Sequence, residues 1–211
     1  MTDVPEKDVP EKDVPEKNVS EKDTGGLRER LVEVGVELVA REGAQALTLR
    51  EIARRAGVSH GAPRRYFPTH LDLLSAIARR GFGDLARRVA AVTGDGTADP
   101  RTRIAALARV YLEFALGDRG MYELMFRHDL LESGRLGLRD TSLPLFGLLA
   151  DLVGQVRTDA DPRLVAGALW ANLHGIAQLW SWGSLRLAAD AQDFEPLLAA
   201  ALNAHLGAVP R

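Results

Sequence analysis

The chain contains no cysteine. That absence excludes a disulfide scaffold, a thiolate metal site and cysteine nucleophile chemistry, and it fits a reducing compartment. Long hydrophobic runs are also missing. No window approaches the roughly 18 apolar residues of a membrane-spanning helix, and the N-terminal region is too charged for a secretory leader. A soluble, cytoplasmic protein with no membrane partner is expected. Lysine is absent after Lys22: the four lysines stand at 7, 12, 17 and 22, and the 189 residues that follow use only arginine. Catalytic signatures are lacking as well. There is no phosphate-cradling glycine loop, no HExxH spacing and no nucleophile elbow, so neither catalysis nor a cofactor or metal is expected.

What is present is enough apolar material, 46% of 211 residues, to bury a real core. The net charge of −2 conceals a division along the chain: residues 1–23 carry −4, residues 24–90 carry +5 and residues 91–211 carry −3. A positive surplus confined to one block suggests a footprint for a polyanion. The N-terminus is a five-residue repeat, DVPEK at Asp3, Asp8 and Asp13, followed by NVSEK at Asn18. A proline every fifth residue breaks any helix, and one valine per unit builds no core. Residues 1–24 are therefore expected to be a low-complexity tail, with Gly25-Gly26 as a hinge.

From Leu27 the apolar residues Leu31, Val34, Leu38 and Val39 recur at helical spacing, ending near Gly43. Thr48 and Glu51 fit a capping box for a second short helix through Leu49, Ile52, Ala53 and Ala56, stopped by Gly57. Ser59 can cap a third. Two short helices joined by a glycine turn, with another packed against them, make a helix-turn-helix unit. On a helical projection from His60, the group Ala62, Pro63, Tyr66 and Phe67 opposes the group His60, Gly61, Arg64 and Arg65. The first group is expected to be buried. The second offers guanidinium forks that suit the major-groove edge of guanine.

The stretch LTLREIARRAGVSHGAPRRYFPTHLDLLSAI, 47–77, resembles the TetR family of transcriptional regulators, and with the first helix the resemblance covers roughly residues 27–80. It implies DNA contacts at Thr48, Arg50, His60, Gly61, Ala62, Arg64, Arg65, Tyr66 and His70. His70 stands where the family commonly has a lysine, and His60, Pro63, Arg64 and Arg65 depart from the usual recognition helix. VSHGAP, with Trp170, His174 and Gly175, is similar to the subgroup whose C-terminal domain carries a Trp-His-Gly pattern.

After Asp72 the pattern continues as a linking helix, then a turn-rich loop at 93–100, then helices near 100–117, 120–132, 142–157, 161–184 and 193–206. The expected fold is all-α: an N-terminal three-helix helix-turn-helix DNA-binding domain at 25–72 and a C-terminal helical ligand-binding and dimerisation bundle at 73–211. Large side chains concentrate in the second part. Phe114, Met121, Tyr122, Met125, Phe126, Phe146, Trp170 and His174 are the candidates for an apolar effector site, with core packing as the alternative for each. The resemblance further implies that the last two helices form a homodimer interface. The expected function is a homodimeric regulator, most simply a repressor, that binds a palindromic operator in double-stranded DNA and is released by a small, largely apolar effector. An effector-independent DNA-binding protein and an α-helical enzyme acting on a hydrophobic molecule are the alternatives.

Overall fold

The computed structural model describes residues 21–94, 96–133 and 137–208, so most of the DVPEK tail lies outside the described residues. Among them there is no strand, and eleven α-helices follow one another: α1 Glu21–Glu42, α2 Leu49–Arg55, α3 Ala62–Tyr66, α4 His70–Thr93, α5 Pro100–Gly117, α6 Arg119–Met125, α7 His128–Ser133, α8 Leu138–Val156, α9 Pro162–Ser181, α10 Ser184–Ala189 and α11 Glu195–Leu206. A single 3₁₀ turn, Ala44–Ala46, links α1 to α2.

The helix starts follow local chemistry. Thr69 caps α4 in a full capping box with Asp72: the Asp72 N–H donates to Thr69 Oγ1 at 3.2 Å, and the Thr69 N–H donates to Asp72 Oδ2 at 2.9 Å. Asp99 and Asp161 cap α5 and α9, each with a proline at the first position, where no backbone donor is needed. Thr48 caps α2 by accepting from the Glu51 N–H at 3.1 Å. The reciprocal half of that box is missing, because the Glu51 carboxylate is taken by Arg54 and Arg55.

Three expectations change. Helix α1 runs through Gly25-Gly26, which therefore form no hinge; extending an established helix costs only its propagation terms, about 1 kcal/mol per glycine. Helix α3 begins at Ala62 rather than after Ser59. A Ser59 cap needs its first intrahelical hydrogen bond from residue 63, and Pro63 has no N–H, so Ser59 O accepts from the Ala62 N–H in a turn instead. The helix expected over 120–132 is two, α6 and α7, broken at Phe126 and Arg127.

One hydrophobic cluster runs through both halves of the chain. Helix α1 approaches α4 so closely that a Cβ at Gly35 would stand 2.3 Å from Ile77 Cδ1. A Cβ on Gly120 of α6 would meet the Val39 carbonyl oxygen of α1 at 2.5 Å. Fully buried side chains such as Phe67, Ile77 and Leu124 each contribute about 1.5–3 kcal/mol by leaving water. Helix α11 carries few long side chains, and arginines fix both its ends. Arg109 of α5 makes a paired bond to Glu195 at 2.7 Å, while Arg101 of α5 and Arg157 donate to the carbonyls of Leu206 and His205.

Candidate DNA-contacting face and ligand cavity

Helices α2 and α3 are separated by Gly57, which sits at φ +68°, a left-handed conformation that glycine adopts without strain. Pro63 and Phe67 are buried, Ala62 and Tyr66 half-buried, and His60, Gly61, Arg64 and Arg65 exposed, in the two opposed groups expected from the projection. Arg28 of α1 lies over the Phe67 ring at 5.2 Å and holds the end of α3 against α1.

The arginines of this region divide by their partners. Arg54 and Arg55 are tied to Glu51, and Arg55 also to Glu42 of α1. Their hydrogen bonds hold the Glu51 carboxyl down to about 2, so it stays ionised and keeps both arginines engaged. Among the described residues Arg50, Arg64 and Arg65 enter no ion pair and are exposed. The uncompensated charge thus lies on the outer face of α2 and α3. Thr48 is exposed at the start of α2, next to Arg50. The ring of His70 donates its Nε2–H to the Leu47 carbonyl at 2.5 Å, which ties the start of α4 to the residue just before the α2 cap.

The second feature is a cavity of about 360 Å³ among α4, α5, α7, α8 and α9. Phe82, Leu85 and Val89 of α4 form one wall, and Leu107 and Tyr111 of α5 the floor. Phe126 and Leu131 close one end, and Leu145, Phe146 and Leu149 of α8 face them. Ser142, Leu143, Arg163 and Trp170 complete the lining; the last three are exposed and mark the mouth.

Of the expected effector residues, Phe126, Phe146 and Trp170 line this cavity. Tyr122 and His174 stand behind its floor: Tyr122 Oη lies 2.7 Å from His174 Nδ1 and 3.1 Å from Tyr111 Oη, and the Trp170 indole N–H donates to Tyr111 Oη at 3.3 Å. Burial pushes the Tyr111 phenol up to about 12, raises Tyr122 as well, and lowers His174, so this cluster is neutral at pH 7. Phe114, Met121 and Met125 serve packing instead. Arg88 covers the Phe114 ring at 5.0 Å, and both methionines press on Gly81 of α4, where a Cβ would come within 2.7 Å of their sulfurs. The aliphatic lining residues Leu85, Val89, Leu107, Leu145 and Leu149 were not singled out by sequence, because leucines and valines at helical spacing look alike in a core and in a pocket wall.

Helix-turn-helix geometry with a free arginine face, joined by one helix to an all-α bundle holding an apolar cavity, defines the class of one-component helix-turn-helix regulators. Residues 31–77 match the model of bacterial regulatory proteins of the TetR family, and residues 104–202 match the tetracyclin repressor-like C-terminal domain. The chain belongs to the TetR family of transcriptional regulators, whose members bind DNA through this unit and often respond to ligands. It is 39% identical over 83 residues to the HTH-type transcriptional regulator BetI of Rhizobium meliloti (strain 1021); that match spans 39% of this chain and 40% of the relative. A solved protein of unknown function from Rhodococcus sp. RHA1 is 28% identical with a TM-score of 0.73, covering 90% of this chain and 97% of that one. The multidrug binding protein EbrR, solved with imidazole, is 30% identical with a TM-score of 0.58, covering 87% of this chain and 96% of EbrR.

Proposed function

We propose that the protein is a homodimeric repressor that binds a palindromic operator and is released by a small, largely apolar effector in the cavity. The observation that carries this reading is the path of α4. Its first residue, His70, is bonded to Leu47 beside α2, and 12 to 19 residues on, Phe82, Leu85 and Val89 line the cavity. At 24 residues α4 is about 36 Å long, so a single rigid element touches both sites. An effector that favours a shifted α4 would move the α2–α3 unit, and two such units must sit about 34–36 Å apart to read successive major grooves. EbrR, similar over nearly its whole length, has been solved with ethidium, which supports a ligand-responsive reading of this bundle.

In this reading Arg64, Arg65, His60, Gly61, Ala62 and Tyr66 face bases or nearby phosphates, while Thr48, Arg50 and His70 position the unit on the backbone. The exposed faces of α9 and α11, which meet where Asn172 lies 3.4 Å from His205, supply the dimer contact. The test is protection of the DNA upstream of the protein's own gene, measured across a salt series. A protected palindrome lost on adding a cavity ligand supports the proposal. Effector-saturated protein that holds the site as tightly as empty protein at equal salt overturns release and leaves the effector-independent reading.

A further inference from the structure

We infer that the cavity selects lipophilic anions over lipophilic cations, with Arg163 and Ser142 at its mouth receiving the acid group. The inference rests on the effector reading above and specifies its ligand. Among the lining residues there is one formal charge, Arg163, and no carboxylate. Its guanidinium lies over the Phe146 ring at 5.5 Å, and among the described residues it is in no salt bridge. The nearest carboxylate in sequence, Asp161, is spent on the backbone: its Oδ1 accepts from the Arg163 N–H at 2.9 Å as the cap of α9.

The other polar groups of the lining are already committed. Tyr111 Oη accepts from the Trp170 indole and faces Tyr122 and His174, so the floor presents no idle donor. Polar recognition falls to the mouth, where a planar guanidinium and the Ser142 hydroxyl both donate and a carboxylate or sulfonate accepts. A cation seated in the same space would meet the Arg163 charge with no carboxylate in the lining to balance it. The aromatic faces of Phe82, Phe126, Phe146 and Trp170 suit a flat ring system as the apolar body.

The experiment uses three probes with one body: anthracene-9-carboxylate, anthracene-9-methanol and 9-(aminomethyl)anthracene as its ammonium. Each is titrated calorimetrically into the full chain at pH 7.5, for wild type, Arg163→Met and Arg163→Lys. In wild type the carboxylate binds more tightly than the alcohol and the alcohol more tightly than the ammonium. Arg163→Met, which keeps a chain over Phe146, weakens the carboxylate about ten- to hundredfold and leaves the alcohol unchanged, while Arg163→Lys restores part of the loss. Equal affinity for all three probes, or a carboxylate preference that survives Arg163→Met, overturns the charge selection alone. Failure of all three to bind overturns the effector reading and the selection with it.

Discussion

Tyr122 Oη and His174 Nδ1 lie 2.7 Å apart on two different helices, in a triad closed by Tyr111 Oη at 3.1 Å from the phenol and 3.0 Å from the imidazole. Removing the hydroxyl in Tyr122→Phe is expected to cost about 0.5–1.5 kcal/mol, read as a lower urea midpoint. The pH dependence follows from the direction of the His174 shift. Burial lowers this base below its ordinary 6.5, so the unfolded chain takes up a proton that the folded chain resists. The stabilising contribution is complete above pH 6.5 and is lost as pH falls below it. Wild type is therefore expected to lose more stability between pH 7.5 and 5.5 than His174→Gln, measured by urea titration at both values.

The free arginines separate by helix. Arg64 on α3 is expected to read a base: Arg64→Ala should cost about 1–3 kcal/mol of operator affinity and relax preference at one position of the site. Arg50 on α2, proposed above to meet phosphates, should behave differently in Arg50→Ala, weakening all sequences alike and reducing the salt slope by about 1. Fluorescence anisotropy with the operator and its single-base variants, at several salt concentrations, distinguishes the two.

His70 holds Leu47 where the family commonly has a lysine. Its Nε2–H is spent on that carbonyl, so that nitrogen is not available to a phosphate. His70→Lys is expected to tighten binding to operator and to unrelated DNA together and to steepen the salt slope by about 1, which the same titrations report.

Two glycines of the bundle predict unequal costs. A methyl on Gly120 runs into a backbone carbonyl, Val39 O, and can be accommodated only by parting α6 from α1. A methyl on Gly81 meets Sδ of Met125 and Cγ and Sδ of Met121, side-chain atoms that can move by rotamer changes where a backbone carbonyl cannot. Gly120→Ala should lower stability by about 1–3 kcal/mol and Gly81→Ala by distinctly less, compared as urea midpoints.

Much of the first 80 residues was legible because its signals are local. The projection that set Pro63 and Phe67 against Arg64 and Arg65 needs only a helical period, and the structure keeps those groups opposed. The same locality explains the misses. The consequence of Pro63 for a Ser59 cap is a single absent hydrogen bond that periodicity does not see. No glycine or proline marks the break at Phe126; the turn there is set by tertiary packing, with Phe82, Tyr122 and His174 all within 5.7 Å of its ring centre. In the cavity the large, distinctive side chains drew attention, and Phe126, Phe146 and Trp170 do line it. Arg163 did not stand out because one arginine in the first turn of a helix is ordinary until its neighbours are known to be apolar.

The two ends of α11 are moored to one helix, α5, through Arg101 and Arg109, and that same helix presents Leu107 and Tyr111 to the cavity. A helix built mainly of alanine and leucine has few polar anchors of its own, so its station is set by the arginines of α5, by Arg157 and by the face of α9 on which it packs. In the homodimer proposed above, ligand occupancy and the seating of one subunit on the next are then strokes of the same lever, reported at the proposed seam as well as on DNA.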